Sequence, residues 1–239
     1  KKIVITGALG HIGSRLIRDL PKSFPEASFV IIDNMAAKRY SSLFDLPGGV
    51  KYNFIEGDIL KLELDPIFEN TDMVIHLAAI TDAAGSFDMK DLVEYHNFNA
   101  TQKVADSCLK TGAAMVHLSS TSVYGTQNDI VDESCSLEEL QPQSPYAETK
   151  IIEENYLREL CQKGLKHVIF RFGTICGTSI GMRFHTAVNK FCWQATVQKP
   201  LTVWRTALHQ KRPYLTLHDA INAFKFIGEK QLFSGEIYN

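Results

Sequence analysis

"KKIVITGALGHIGSRLIRDL", residues 1–20, sets a short apolar run, Ile3-Val4-Ile5, directly before a turn that holds Gly7, Gly10 and Gly13. A helical pattern follows over His11–Leu20. A turn of this kind between a strand and a helix points backbone N–H groups toward an anion, and the helix N-terminus adds partial positive charge. Glycine lets the backbone approach a pyrophosphate and lets the helix pack on the strand. The spacing is GxxGxxG rather than GxGxxG, so these residues alone read either as a dinucleotide cradle or as an ordinary strand, turn and helix.

The residues downstream favour the cradle. "FVIIDN" ends a second strand at Asp33, about 20 residues beyond Gly13, where a carboxylate can accept from both hydroxyls of an adenosine ribose and repel a 2′-phosphate. This favours NAD over NADP; Lys38 and Arg39 nearby read as solvated loop charges. Gly57-Asp58 closes a third strand and is either a simple turn or a polar contact for the adenine edge. Strands are expected at Lys2–Thr6, Ser28–Asp33, Lys51–Glu56, Asp72–Leu77, Ala113–Ser119 and His167–Phe172, and helices at His11–Leu20, Asp88–Lys110 and Pro145–Lys163. The strands are apolar on both faces, as a parallel sheet covered by helices requires. The fold class is therefore α/β, a Rossmann-type doubly wound parallel sheet.

After Gly173 the pattern changes: a helix around Thr186–Thr196, a short strand "LTVW" from Leu201, then "RPYLTLHDA" and a helix over Ala220–Glu229. This divides the chain into a domain over 1–172 and a smaller substrate region over 173–239. With 239 residues and a net charge of -2, bulk electrostatics favour neither nucleic acid nor an anionic membrane. No apolar run approaches the length of a membrane span. The five cysteines form no CxxC pair and the eight histidines no ligand spacing, which reads as reduced thiols in a cytoplasmic protein without a metal. The chain begins without Met and stops at "GEIYN", and is expected to be incomplete.

"SPYAETK" carries the chemistry. Ser144-Pro145 is a helix start, a cap followed by a first-turn proline. Tyr146 and Lys150, four apart, then share one face, and an ammonium beside a phenol lowers the phenol's pKa from about 10. Taken alone, the pair reads equally as a buried aromatic and a surface lysine.

With "TGALGHIG", "IIDN", "GDI", "HLAA", "NFNAT", "SSTSVYG", "SPYAETK", "RFG" and "GEIYN" in this order, the whole chain resembles the extended short-chain dehydrogenase/reductase family, in particular its nucleotide-sugar epimerases. The resemblance implies a Rossmann-type NAD domain and catalysis by Tyr146, with Lys150 binding the nicotinamide ribose and Ser120 holding the substrate oxygen. Ser119, Thr121 and Ser122 stand close to Ser120, and the sequence does not separate them. It implies cofactor contacts from Gly7, Leu9, Gly10, His11, Ile12 and Gly13, from Asp33, Asn34, Asp58 and Ile59, and from Leu77, Ala78 and Ala79. Asn97 would fix the backbone near the active site, and His76 reads as a satisfied strand-end residue. On the substrate side it implies Arg212 on a diphosphate, with Thr174 where the family often has Asn, and Asn189, Arg183 and Arg205 as weaker candidates. The related dehydratases carry a carboxylate in the stretch that here reads Ser120–Tyr124 without Asp or Glu.

The expected activity is therefore NAD-dependent epimerisation of a nucleoside-diphosphate sugar at C4. The competing readings are a reductase of a 4-keto sugar or other carbonyl substrate, and an NAD-sensing binding protein without catalysis. Similar proteins are commonly homodimers, built by pairing helices such as Asp88–Lys110 and Pro145–Lys163.

Overall fold

Strands covered on both faces must be apolar along their whole length, and Ile3–Ile5, Phe29–Ile32 and Met73–Ile75 supply such runs, each residue buried. In the computed structural model, which describes residues 1–81, 90–126, 131–203, 205 and 208–239, these runs lie at the centre of a parallel sheet. The chain runs β1 (Lys2–Thr6), α1 (Gly13–Ser23), β2 (Ser28–Asp33), β3 (Lys51–Glu56), α2 (Leu64–Phe68), β4 (Met73–His76) and α3 (Lys90–Thr111). It continues through β5 (Ala114–Ser120), α4 (Pro145–Gln162), β6 (His167–Phe172), β7 (Thr174–Cys176), α5 (Ala187–Thr196), β8 (Tyr214–Thr216), α6 (Leu217–Lys230) and β9 (Ser234–Tyr238).

Seven strands pair in the order β3-β2-β1-β4-β5-β6-β9. The direction of winding reverses at β1, which pairs with β2 on one side and β4 on the other, and opens a crevice above their carboxyl ends. On one face Leu16, Ile17 and Leu20 of α1 pack with Ile221, Phe224 and Ile227 of α6. On the other, Val104, Ala105 and Cys108 of α3 meet Leu157 and Leu160 of α4. Each such side chain contributes about 1.5–3 kcal/mol by leaving water.

Two expectations are corrected. Helix α1 runs past Leu20 through Pro21 to Ser23; the carbonyl of Ile17, which a proline four residues on cannot satisfy, accepts instead from the Tyr52 hydroxyl on β3. Leu201–Val203 is not a strand: its apolar residues are exposed and pair with nothing in a sheet, and Trp204 lies outside the described residues. The elements after Phe172 are shared between two sheets. Strands β7 and β8 form a separate two-stranded sheet, whereas α6 covers the main sheet and β9 joins its edge beside β6. Asp88, expected to open α3, lies outside the described residues.

Beneath the carboxyl ends of β5 and β6 sits a buried ion pair. Arg171 on β6, 1% exposed, donates from Nε to Glu154 Oε1 at 3.0 Å and from Nη2 to Oε2 at 2.6 Å. Its Nη1 donates to the Tyr124 hydroxyl at 2.9 Å, and the Ser119 hydroxyl donates to Glu154 Oε1 at 2.5 Å. Removing one member of so enclosed a pair leaves an uncompensated charge. Arg171→Ala should cost about 3–5 kcal/mol, read from the urea midpoint, and the joint change Glu154→Leu with Arg171→Met should recover most of that loss.

Candidate active site

Gly7 has φ +63, and a Cβ there would lie 2.7 Å from the backbone nitrogen of Ala78. The turn after β1 therefore sits directly against the end of β4, at the point where the sheet reverses. A Cβ on Gly13 would lie 2.6 Å from the carbonyl oxygens of Gly7 and Ala8, so the first turn of α1 packs against the same loop. The result is a cleft of about 840 Å³ over the strand ends.

The residues singled out in the sequence line this cleft with few exceptions. Gly7, Leu9, Gly10, His11, Ile12 and Gly13 form one wall; Asp33, Asn34, Asp58 and Ile59 lie on the β2–β3 side; Leu77, Ala78, Ala79 and Asn97 lie at β4. Ser120, Tyr146, Thr174 and Arg212 line the β5–β8 side. The Asp33 carboxylate accepts from the Leu9 N–H at 3.0 Å and from the Met35 N–H at 2.9 Å, which ties β2 to the glycine turn and fixes the carboxylate toward the cleft. Asp58 accepts from the Leu60 N–H at 3.0 Å, and Asn34 from the Ala36 N–H at 3.0 Å. Asn97 accepts from Ile80 N–H at 2.8 Å and donates to its carbonyl at 2.9 Å, holding the segment after β4 in place. His76 Nδ1 lies 2.8 Å from the Thr6 hydroxyl, and His76 is buried and outside the cleft wall.

Helix α4 starts as its sequence indicates, with the Ser144 hydroxyl accepting from Ala147 N–H at 3.2 Å and Pro145 in the first turn. This brings Tyr146, half-buried, into the cleft on the side of Ser120. The four hydroxyls at the end of β5 separate. Ser119, Ser120 and Ser122 all line the cleft, but the Ser119 hydroxyl is taken by Glu154, and that of Thr121 points to the carbonyl of Phe172 at 3.5 Å. Lys150 is not a lining residue. Its ammonium sits 5.6 Å from the centre of the Tyr146 ring and donates to Glu153 at 2.8 Å, 3% exposed. Burial opposes its charge, but Glu153 and Tyr146 outweigh burial and raise its pKa.

Two substrate candidates stand elsewhere. Asn189 is buried with its amide in structural use, accepting from Gly177 N–H at 3.0 Å and donating to the Arg183 carbonyl at 3.0 Å, so it shapes the loop behind the cleft. Arg205 is exposed and outside the lining. Conversely, Arg39 is no loop charge in free solvent: it is half-buried in the cleft wall, its guanidinium 3.7 Å from where a Gly10 Cβ would stand. His185 and Tyr214 also line the cleft, and only the folded arrangement of distant loops brings them there.

His11 is held neutral. Burial, then the positive charges of Arg183 and Arg39 and the His185 ring, push its pKa down to about 4, and its Nδ1 lies 2.8 Å from the Ser179 hydroxyl. A cradle of close-packed glycines, with Arg39, Arg183 and His185 around it and an oriented carboxylate on the next strand, fits the pyrophosphate and adenosine ribose of NAD.

The chain belongs to the NAD dependent epimerase/dehydratase family, whose profile matches residues 3–239. The Bacillus subtilis (strain 168) protein YtcB, an uncharacterized UDP-glucose epimerase, is 30% identical over 246 residues, spanning 100% of this chain and 76% of that protein. A trifunctional UDP-glucose 4,6-dehydratase/UDP-4-keto-6-deoxy-D-glucose 3,5-epimerase/UDP-4-keto-L-rhamnose-reductase of Arabidopsis thaliana is 28% identical, and this chain spans 36% of its length. Among solved structures, the UDP-glucuronic acid 4-epimerase of Bacillus cereus, in complex with UDP-glucuronic acid and NAD, superposes with a TM-score of 0.86 at 29% identity, over 99% of this chain and 76% of that one. The UDP-N-acetylglucosamine 4-epimerase of Methanobrevibacter ruminantium M1, in complex with UDP-N-acetylmuramic acid, gives 0.87 at 25% identity, over 99% and 75%. The protein is thus an enzyme of this family and its cofactor is NAD.

Gly10 differs from its neighbours in the turn, since a Cβ there meets the Gly7 carbonyl at a tolerable 3.2 Å and has no positive φ to strain it. Gly10→Ala should fold, yet weaken NAD about tenfold by titration calorimetry, the equivalent of an overpacked contact. Gly7→Ala should lose both thermal stability and NAD binding.

A second expectation concerns acid. Burial holds His76 at about 3, His11 sits at about 4, and burial also lowers His117 and His167. The unfolded chain binds these protons from about 6.5 downward, so it holds more protons than the fold and stability falls as pH drops below that value. Between pH 7 and pH 5 His76 alone should remove about 2 kcal/mol, measured as a fall in the urea midpoint above the range where carboxylates titrate.

Proposed function

We propose that this chain is an NAD-dependent 4-epimerase of a nucleoside-diphosphate sugar, with Tyr146 as its acid/base. The observation that carries the reading is the placement of acids in the cleft. Among the described residues its carboxylates are Asp33 and Asp58, both on the β2–β3 side, and none stands beside Ser120 and Tyr146. Elimination of water needs an acid for the leaving hydroxyl and a base at the neighbouring carbon. A wall that offers a phenol and hydroxyls, with the lining carboxylates of the described residues on the opposite side, suits oxidation and reduction at one carbon. The two solved 4-epimerases described above, both holding UDP sugars, support the same choice.

Bound NAD would supply the acceptor and donor of hydride, held by the glycine turn and Asp33. Tyr146, with the Lys150 ammonium 5.6 Å from its ring centre, takes the proton from the 4-hydroxyl and later returns it to the same oxygen. Ser120 holds that oxygen against Tyr146, so the sugar turns over while its oxygen keeps its partner. Arg212, exposed on the β8 side with its fork free of carboxylates, suits the substrate diphosphate. Thr174, a single hydroxyl on β7, offers less to the sugar than an amide does. The catalytic unit we propose is a homodimer joined through α3 and α4, which expose Leu92, Tyr95 and Ile152. Among the described residues no helix is long and apolar enough to cross a membrane.

Purified protein offered UDP-, GDP-, CDP- and dTDP-sugars should invert C4 of one of them without net change at the nicotinamide absorbance. Loss of water from the sugar would instead mark a dehydratase, and stoichiometric oxidation of reduced cofactor a reductase. Tyr146→Phe should lower kcat about 10²- to 10⁴-fold while NAD binding persists.

A further inference from the structure

The Lys150 ammonium is not held by the cleft but from below. Glu153, one turn further along α4 and 0% exposed, accepts from Lys150 Nζ at Oε2, 2.8 Å away. The same oxygen lies 3.0 Å from His117 Nε2 on β5, itself 0% exposed. Among the described residues neither Oε1 of Glu153 nor either ring nitrogen of His117 has a partner in hydrogen-bond geometry, so the His117 contact is one of proximity. The adjacent Glu154 does not compete for Lys150, because Arg171 and Ser119 occupy its carboxylate.

The charges around this point are few. Helix α4 brings Tyr146, Lys150, Glu153 and Glu154; β5 brings His117; β4 brings His76, whose ring lies 6.2 Å from that of His117; β6 brings Arg171, already paired. The residues that α3 buries near its start, Val93, Asn97, Ala100 and Thr101, are uncharged. Burial keeps both histidines neutral. It also pushes Glu153 upward, yet Lys150 and His117 outweigh burial and hold that carboxyl down at about 2. Glu153 is therefore an anion at working pH, fixed against the ammonium that tunes Tyr146.

We propose that Glu153 is a positioning residue that clamps the Lys150 ammonium between α4 and β5 and thereby sets the proton affinity of the Tyr146–Lys150 pair. This rests on the reading of Tyr146 as the base. The Glu153 anion favours the more protonated form of the pair, so its removal lets the pair lose its first proton, and then its second, at lower pH. The direction is the same whether the first proton leaves from Tyr146 or from Lys150, since both steps belong to the coupled pair.

Glu153→Gln should move both limbs of the kcat–pH profile about one pH unit toward acid, the usual effect of taking away one close charge. Glu153→Asp, which keeps the charge on a shorter arm, should lower kcat and leave the limbs nearly in place. Without substrate, the tyrosinate absorbance that disappears in Tyr146→Phe should titrate at lower pH in Glu153→Gln than in the native protein. Should the glutamine variant fail to fold, Glu153→Met fills a similar volume without a buried amide and predicts the same shift. Folded variants with lower kcat but unmoved limbs and an unmoved tyrosinate titration would overturn the role of Glu153 and leave Tyr146 as the base. Full turnover by Tyr146→Phe would overturn the reading of the base, and the absorbance titration would still decide the coupling.

Discussion

Covering a parallel sheet on both faces leaves its strand ends as the place where polar side chains can gather, and the rest of this molecule follows from that constraint. The central strands are apolar through most of their length, and at their carboxyl ends Thr6, Asp33, His76 and Ser120 appear in turn. The winding reverses at β1, and β1 and β4 stay paired to their ends, so that Gly7 presses on Ala78 without a side chain between them. The cleft is the space this arrangement leaves over.

Within the cleft, charge is sorted by position. Carboxylates lie on the β2–β3 side, held by backbone N–H groups. Cationic groups stand around the glycine turn, and a phenol with hydroxyls lies on the β5 side. Below this floor a second set of charges is fully enclosed, with Glu154 on Arg171 and Glu153 on Lys150. Those consecutive glutamates have different tasks. One fastens α4 to β6, and the other bears on the reactive end of the same helix.

Much of this was legible in the sequence, and the exceptions share a cause. The Ile- and Val-rich runs announce buried strands, Asp33 is found by its distance from the turn, and Ser144-Pro145 announces the helix that carries Tyr146 and Lys150. Each signal is local. Arg39 looks like a solvated loop charge until the fold brings it beside Gly10, and Asn189 looks like a free amide until Gly177 and Arg183 take both its ends. Glu153 carries no mark at all, since an acidic residue on a helix usually faces water. Helix α1 outlasts its proline because Tyr52, on the distant strand β3, offers a hydroxyl to the freed carbonyl. "LTV", residues 201–203, has the composition of a strand but pairs with none among the described residues.

The pairing of β9 with β6 has a bearing on how the chain is made. Residues His167 to Phe170 find their edge partner only at Ser234 to Tyr238, after the small sheet and two helices have been threaded between them. On a ribosome, β6 would emerge with one row of amides and carbonyls open until β9 arrives. An exposed edge of apolar residues is a template for pairing with other chains. Closing that edge joins residues far apart in sequence, a kind of contact that forms slowly.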